Sequence, residues 1–128
     1  MSHALSRFCF GEPTLTTPPA VVAELPLGIS DKARLLAELA RCLSFPDYFG
    51  HNWDALEECL RDLSWLAPGN VVLRHADLPL AGDAALAFVY LSILADTIQV
   101  WTTSQERALV VVFPANVREQ IGALLEAL

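Results

Sequence analysis

Three short runs of β-branched and apolar residues, Val21 to Leu25, Val71 to Leu73 and Ala108 to Phe113, are separated by stretches whose apolar positions recur at helical spacing. A chain that alternates strand with helix joins its strands by crossovers, so the expected fold is an α/β domain with a parallel sheet. The architecture that follows is a three-stranded parallel sheet flanked by helices. A weakly patterned arm occupies residues 1–19 and closes on Pro18 and Pro19, the core spans 20–114, and an added C-terminal helix covers 115–128. Phe8 and Phe10 are the arm's candidates for docking on the core.

Start signals mark each helix. Ser30 or Asp31 can cap the first, which carries Leu35, Leu36, Leu39, Ala40 and Leu43 on one stripe and should end before Pro46. Asn52 caps a second, running to about Ser64, with Leu56, Leu60 and Leu63 facing inward; Asp83 caps a long apolar helix to about Trp101. That helix approaches membrane-span length, but Ser92, Asp96, Thr97 and Gln99 interrupt it, so a buried core helix is expected and no membrane partner. Asn116 caps the last helix, whose stripe of Val117, Ile121, Leu124, Leu125 and Leu128 must be covered. Packing on its own domain makes the chain a monomer, and a homodimer contact is the alternative.

With 128 residues, 54% of them hydrophobic and 18% charged, the chain reads as one globular domain and not as a disordered one. Fifteen acids against eight bases leave a net charge of −7, which supplies no basic patch for nucleic acid and calls for a basic partner. Cys9, Cys42 and Cys59 are odd in number and widely spaced, which points away from a disulfide framework and toward a reducing compartment. The first eleven residues lack an apolar run of signal-peptide length, so a cytoplasmic location is expected. His3, His51 and His75 are scattered without ligand spacing; neither a metal site nor a cofactor signature is read.

The negative charge is not spread evenly. Between Phe45 and Leu66, Asp47, Asp54, Glu57, Glu58 and Asp62 stand against the single base Arg61, which is more than half of the net charge. Asp54 and Glu58, four apart on a helix, share a face and repel by about 0.2–0.5 kcal/mol, so stability alone does not select the pair. Asp54 can equally serve the positive end of the helix dipole, and the whole run can be an ordinary solvated face. Tyr48 and Trp53 flank the acids and can supply rigid apolar contact area, although the helical spacing of Trp53 with Leu56 and Leu60 suits core packing as well. Gly50 is expected in a left-handed conformation that reverses the loop, with Asn52 closing the first helical turn.

The run Pro46, Asp47, Tyr48, Phe49, Gly50, followed by Asn52, Asp54, Ala55, Leu56 and by Glu58, Cys59, Leu60, resembles the signature of the barstar family, intracellular inhibitors of small basic ribonucleases. It departs from the family pattern at His51, Trp53, Glu57, Glu58 and Leu63, where that pattern has an acid, a leucine, a tryptophan, an aspartate and a tryptophan. The resemblance implies that the loop and second helix plug a nuclease active site. The acids at Asp54 and Glu58 would then stand where RNA phosphates bind.

The partner-binding residues expected on this basis are Tyr48, Gly50, Asn52, Trp53, Asp54, Glu57 and Glu58. The partner would be a barnase-like basic ribonuclease or another basic toxin, making the chain an immunity protein of antitoxin type. A non-inhibitory interaction or regulatory domain that binds another basic protein through the same face is the alternative. An enzyme using Asp54 and Glu58 as acid and base is not expected, because the segment offers no nucleophile, phosphate loop or apolar pocket to tune them.

Overall fold

The computed structural model describes residues 4–127, so His3 and the last stripe position, Leu128, lie outside the described residues. In chain order the elements are β1 (Cys9–Phe10), β2 (Val21–Leu25), α1 (Lys32–Cys42), α2 (Trp53–Asp62), β3 (Val71–His75), α3 (Ala84–Trp101), β4 (Leu109–Phe113) and α4 (Arg118–Ala127), with 3-10 turns at Leu5–Arg7 and Ala115–Val117. The sheet is parallel throughout, in the order β1-β4-β3-β2. It therefore has four strands and not the three expected. The added strand comes from the arm, where Cys9 and Phe10 pair with Val112 and Phe113; two residues are too few for any periodicity to announce. Phe8 and Phe10 do dock, at 5.4 and 6.3 Å from the Phe113 ring.

One face of the sheet carries the helices. Ala23, Leu25, Val71, Leu73, His75, Leu109, Val111 and Phe113 point into it and are buried. The opposite face carries Val72 and Val112, also buried, and Val22 and Glu24, which are exposed at the β2 edge. Because β1 and β2 occupy opposite edges, segment 11–20 must return from the carboxyl end of the sheet, where Gly11 N–H donates to Phe113 O at 3.0 Å, to its amino end, where Ala20 N–H donates to Asn70 O at 2.9 Å. Arg74 pins this strap by donating both Nη1 and Nη2 to the Glu12 carboxylate at 2.8 and 2.9 Å. At its far end Gly69, at φ 122°, leaves no room for a side chain, since a β-carbon there would lie 3.0 Å from Ala20 Cβ.

The capping residues explain where the helices begin. Asp31, Asn52 and Asp83 each accept the N–H three residues on, at 2.8, 2.7 and 3.1 Å. Asn116 is not a cap: after Pro114 the chain makes a 3-10 turn, with Val117 N–H donating to Pro114 O at 3.2 Å, and α4 starts only at Arg118. Helix α3 is long and apolar enough to span a membrane by length and composition, yet it buries Ala87, Tyr90, Leu91, Leu94 and Ile98 against the rest of the molecule as a core helix. Helix α4 lies against α3 and the Leu5–Arg7 turn, with Val117 and Ile121 buried and Leu124 and Leu125 half-buried.

At the carboxyl end of β3 the buried His75 donates Nδ1–H to Val112 O at 2.9 Å and accepts from the Tyr90 hydroxyl at its Nε2, 2.6 Å away. Its ring stacks on Phe113 at 4.0 Å. Burial lowers its pKa from 6.5 to about 4, the bond to Val112 O only partly opposing that. The unfolded chain thus binds more protons than the folded one between these two values, so this group's contribution is complete above about pH 6.5 and is lost as pH falls toward 4. We expect urea unfolding to show a loss on the order of 2–3 kcal/mol over that window. In His75→Gln the slope should shrink; an equal slope there would assign it to other groups.

Candidate functional site

The acidic segment begins where α1 ends. Phe45 N–H donates back to Ala40 O at 2.9 Å, and its ring meets Phe49 at 4.8 Å and Trp65 at 5.9 Å. Trp65 Nε1–H donates to Leu43 O at 2.9 Å, so both ends of the segment are tied to the end of α1. With Phe45 half-buried and Phe49 buried, Asp47 and Tyr48 between them turn outward, and Tyr48 is 69% exposed.

Between Phe45 and Asn52 the left-handed residue is His51, at φ 52°, and not Gly50; Ser44, at φ 55°, makes an earlier such turn just after α1. The histidine is steadied there by donating Nδ1–H to Phe49 O at 3.2 Å and by packing its ring on Phe49 at 4.7 Å. Gly50 serves close approach instead: a β-carbon would come within 3.2 Å of Asn52 Nδ2, the amide that donates to Gly50 O at 3.3 Å. Asn52 thereby spans the junction, holding Gly50 with its nitrogen and Ala55 N–H with its oxygen.

Helix α2 has two unlike faces. Leu56, Cys59 and Leu60 are buried beneath it, while Asp54, Glu58, Arg61 and Asp62 are exposed and Glu57 is half-buried. Arg61 Nη2 pairs with Glu57 Oε1 at 3.0 Å. Among the described residues neither Asp54 nor Glu58 belongs to an ion pair. Asp54, Glu57, Glu58 and Arg61 together line a shallow surface depression.

Two aromatic side chains bracket this face, in different ways. The Tyr48 hydroxyl is held above its ordinary pKa, chiefly by desolvation and then by the Asp62 carboxylate, with Cys59 and Glu58 adding to it. The α2 groups whose charge reaches the tyrosine are thus Glu58, Cys59 and Asp62, in the second half of the helix. Trp53 is half-buried: its indole stacks on Tyr90 at 6.5 Å and has the Lys32 ammonium 5.2 Å from its centre. Much of its area is committed to the molecule itself.

The structure thus brings Tyr48, Asn52, Asp54, Glu57 and Glu58 onto one surface, with the exposed Gly50 beside Asn52 and the half-buried Trp53 at the edge. Two residues join them that were not among the expected partner-binding residues, although Asp62 was counted in the acidic run. Asp62 continues the stripe one turn beyond Glu58, which its i+4 spacing could have revealed. Lys32 arrives from α1, and no local pattern signals it.

Among known families, the one described as Barstar (barnase inhibitor) matches residues 22–114. No curated protein and no solved structure matches the chain.

The cap at Asn52 is the junction on which loop and helix both depend. Asn52→Ala should cost about 1 kcal/mol of unfolding free energy in urea, and Asn52→Asp, which keeps the acceptor, much less. Equal losses would show that the amide donation to Gly50 O, and not the cap, is the stabilising part.

Proposed function

Because the chain belongs to the barstar family, whose description is that of barnase inhibitors, we propose that it is a cytoplasmic inhibitor of a basic ribonuclease, an immunity protein of antitoxin type. It would occupy the nuclease active site with α2 and the loop before it. The observation that carries this reading is the pair Asp54 and Glu58, exposed one turn apart with no ion-pair partner among the described residues, beside the exposed ring of Tyr48.

The chemistry suits that task. A carboxylate accepts two parallel hydrogen bonds from an arginine much as a phosphate does, so two carboxylates one turn apart can imitate successive charges of an RNA strand. The concentrated negative field draws a cationic cleft in before contact, which speeds encounter more than it deepens affinity. Tyr48 offers rigid apolar area at the rim, at little entropic cost. Asn52 and Gly50 hold the loop in register with the helix, and Glu57, already engaged with Arg61, contributes field more than contact.

A panel of basic ribonucleases titrated with the chain tests the reading. Asp54→Ala and Glu58→Ala should each weaken one-to-one inhibition by about 2 kcal/mol or more. Glu119→Ala, exposed on α4, should change it by less than about 0.5 kcal/mol. Unchanged inhibition in both acid mutants would place the recognition surface elsewhere. Binding that leaves the ribonuclease active would favour the non-inhibitory interaction domain, and RNA turnover by this chain alone would favour an enzyme. Association should also slow as salt is added.

A further inference from the structure

Helix α2 ends against its own electrostatics. Asp62 stands in the last turn, where the free carbonyls already carry partial negative charge, with Glu58 one turn before it, and the favourable cation of that turn, Arg61, is engaged with Glu57. The helix stops at Leu63, which is fully buried at φ 50°, a left-handed conformation that disfavours any residue with a β-carbon. Left to α2 alone, this end would fray.

The compensating charge comes from behind. Arg107, in the turn before β4, is buried and donates to four carbonyls of the chain leaving α2: Nη1 to Leu63 O at 2.8 Å, Nη2 to Ala67 O at 2.7 Å and to Leu66 O at 3.5 Å, and Nε to Gly69 O at 2.9 Å. Among the described residues it makes no ion pair. Trp101, at the end of α3, donates Nε1–H to Leu60 O at 2.8 Å and has its ring 5.8 Å from the Arg107 guanidinium carbon. A surface arginine at this place would quench the carboxylates it steadied. A buried one bound to carbonyls stabilises the helix end and leaves the outward charges unpaired.

We propose that Arg107, backed by Trp101, is the positioning residue of the acidic face: it fixes where α2 stops and so sets the aim of Glu58 and Asp62. Its consequence for a nuclease rests on the inhibitor reading; the influence of the Asp62 charge on Tyr48 does not. That separation makes the two testable apart.

The chain has two tyrosines, and Tyr90 is fully buried, so NMR titration of the tyrosine ring carbons distinguishes the exposed Tyr48. Arg107→Gln should bring the Tyr48 hydroxyl down toward its ordinary pKa as Asp62 moves away. Trp101→Phe should move it the same way by less, and it carries the test if Arg107→Gln does not fold. Against a basic ribonuclease that the parent inhibits, Arg107→Gln should weaken inhibition by roughly tenfold, with most of that loss absent when Glu58→Ala and Asp62→Ala are already present together. Arg107→Lys, which keeps the charge without the fork, should recover part of it. A Tyr48 titration unmoved in both folded variants, or the same fold-loss with and without the Glu58 and Asp62 carboxylates, would reduce Arg107 to general stability and overturn the proposal. If the parent inhibits no ribonuclease in the panel, the inhibitor reading fails and the Tyr48 titration alone decides the positioning role.

Discussion

The acidic surface exists because the underside of α2 is buried far more strongly than its upper side repels itself. Leu56, Leu60 and Leu63 are each inaccessible to solvent, and burying a leucine fully is worth about 1.5–3 kcal/mol. A like-charged pair one turn apart costs only about 0.2–0.5 kcal/mol when exposed. Packing on α3 therefore wins by an order of magnitude, and the carboxylates are free to be arranged for their field. The two tryptophan N–H groups, from Trp65 and Trp101, then lock the segment by taking carbonyls of Leu43 and Leu60.

That division of labour extends to the sheet. Helices pack on one face only, and the opposite face is served by the strap of residues 11–20, held by Glu12 and Arg74. The helix-side face ends in a buried neutral histidine whose two ring nitrogens are both satisfied, by Val112 O and the Tyr90 hydroxyl. Tyr90 in turn stacks on Trp53 at the start of α2. Helix α2 thus stands on the sheet through a continuous chain of ring contacts, from Phe113 through His75 and Tyr90 to Trp53, which makes a rigid mounting.

Much of this was legible in the amino-acid order, and the rest was hidden for definite reasons. Asp31, Asn52 and Asp83 could be read as caps because a short acceptor before an apolar periodic stretch has few other uses. Exposure of Asp54 and Glu58 followed from their phase against Leu56 and Leu60. Strand β1 was hidden because its two residues acquire meaning only beside β4. The loop reversal fell on His51 and not Gly50 because a side-chain bond to Phe49 O and a ring contact offset the backbone cost. Arg107 was the least legible of all: its acceptors are main-chain carbonyls, which every residue possesses, so no spacing of side chains could have pointed to it.

The pairing of β1 with β4 also orders the events of biosynthesis. Cys9 and Phe10 leave the ribosome long before their partners Val112 and Phe113. Until then the growing chain can assemble β2, α1, α2 and β3 but not close its far edge, and joining segments so distant carries the largest loop entropy of any strand pair in the sheet. The nascent protein thus carries an open β3 flank and an idle β1 until β4 is made and slots between them.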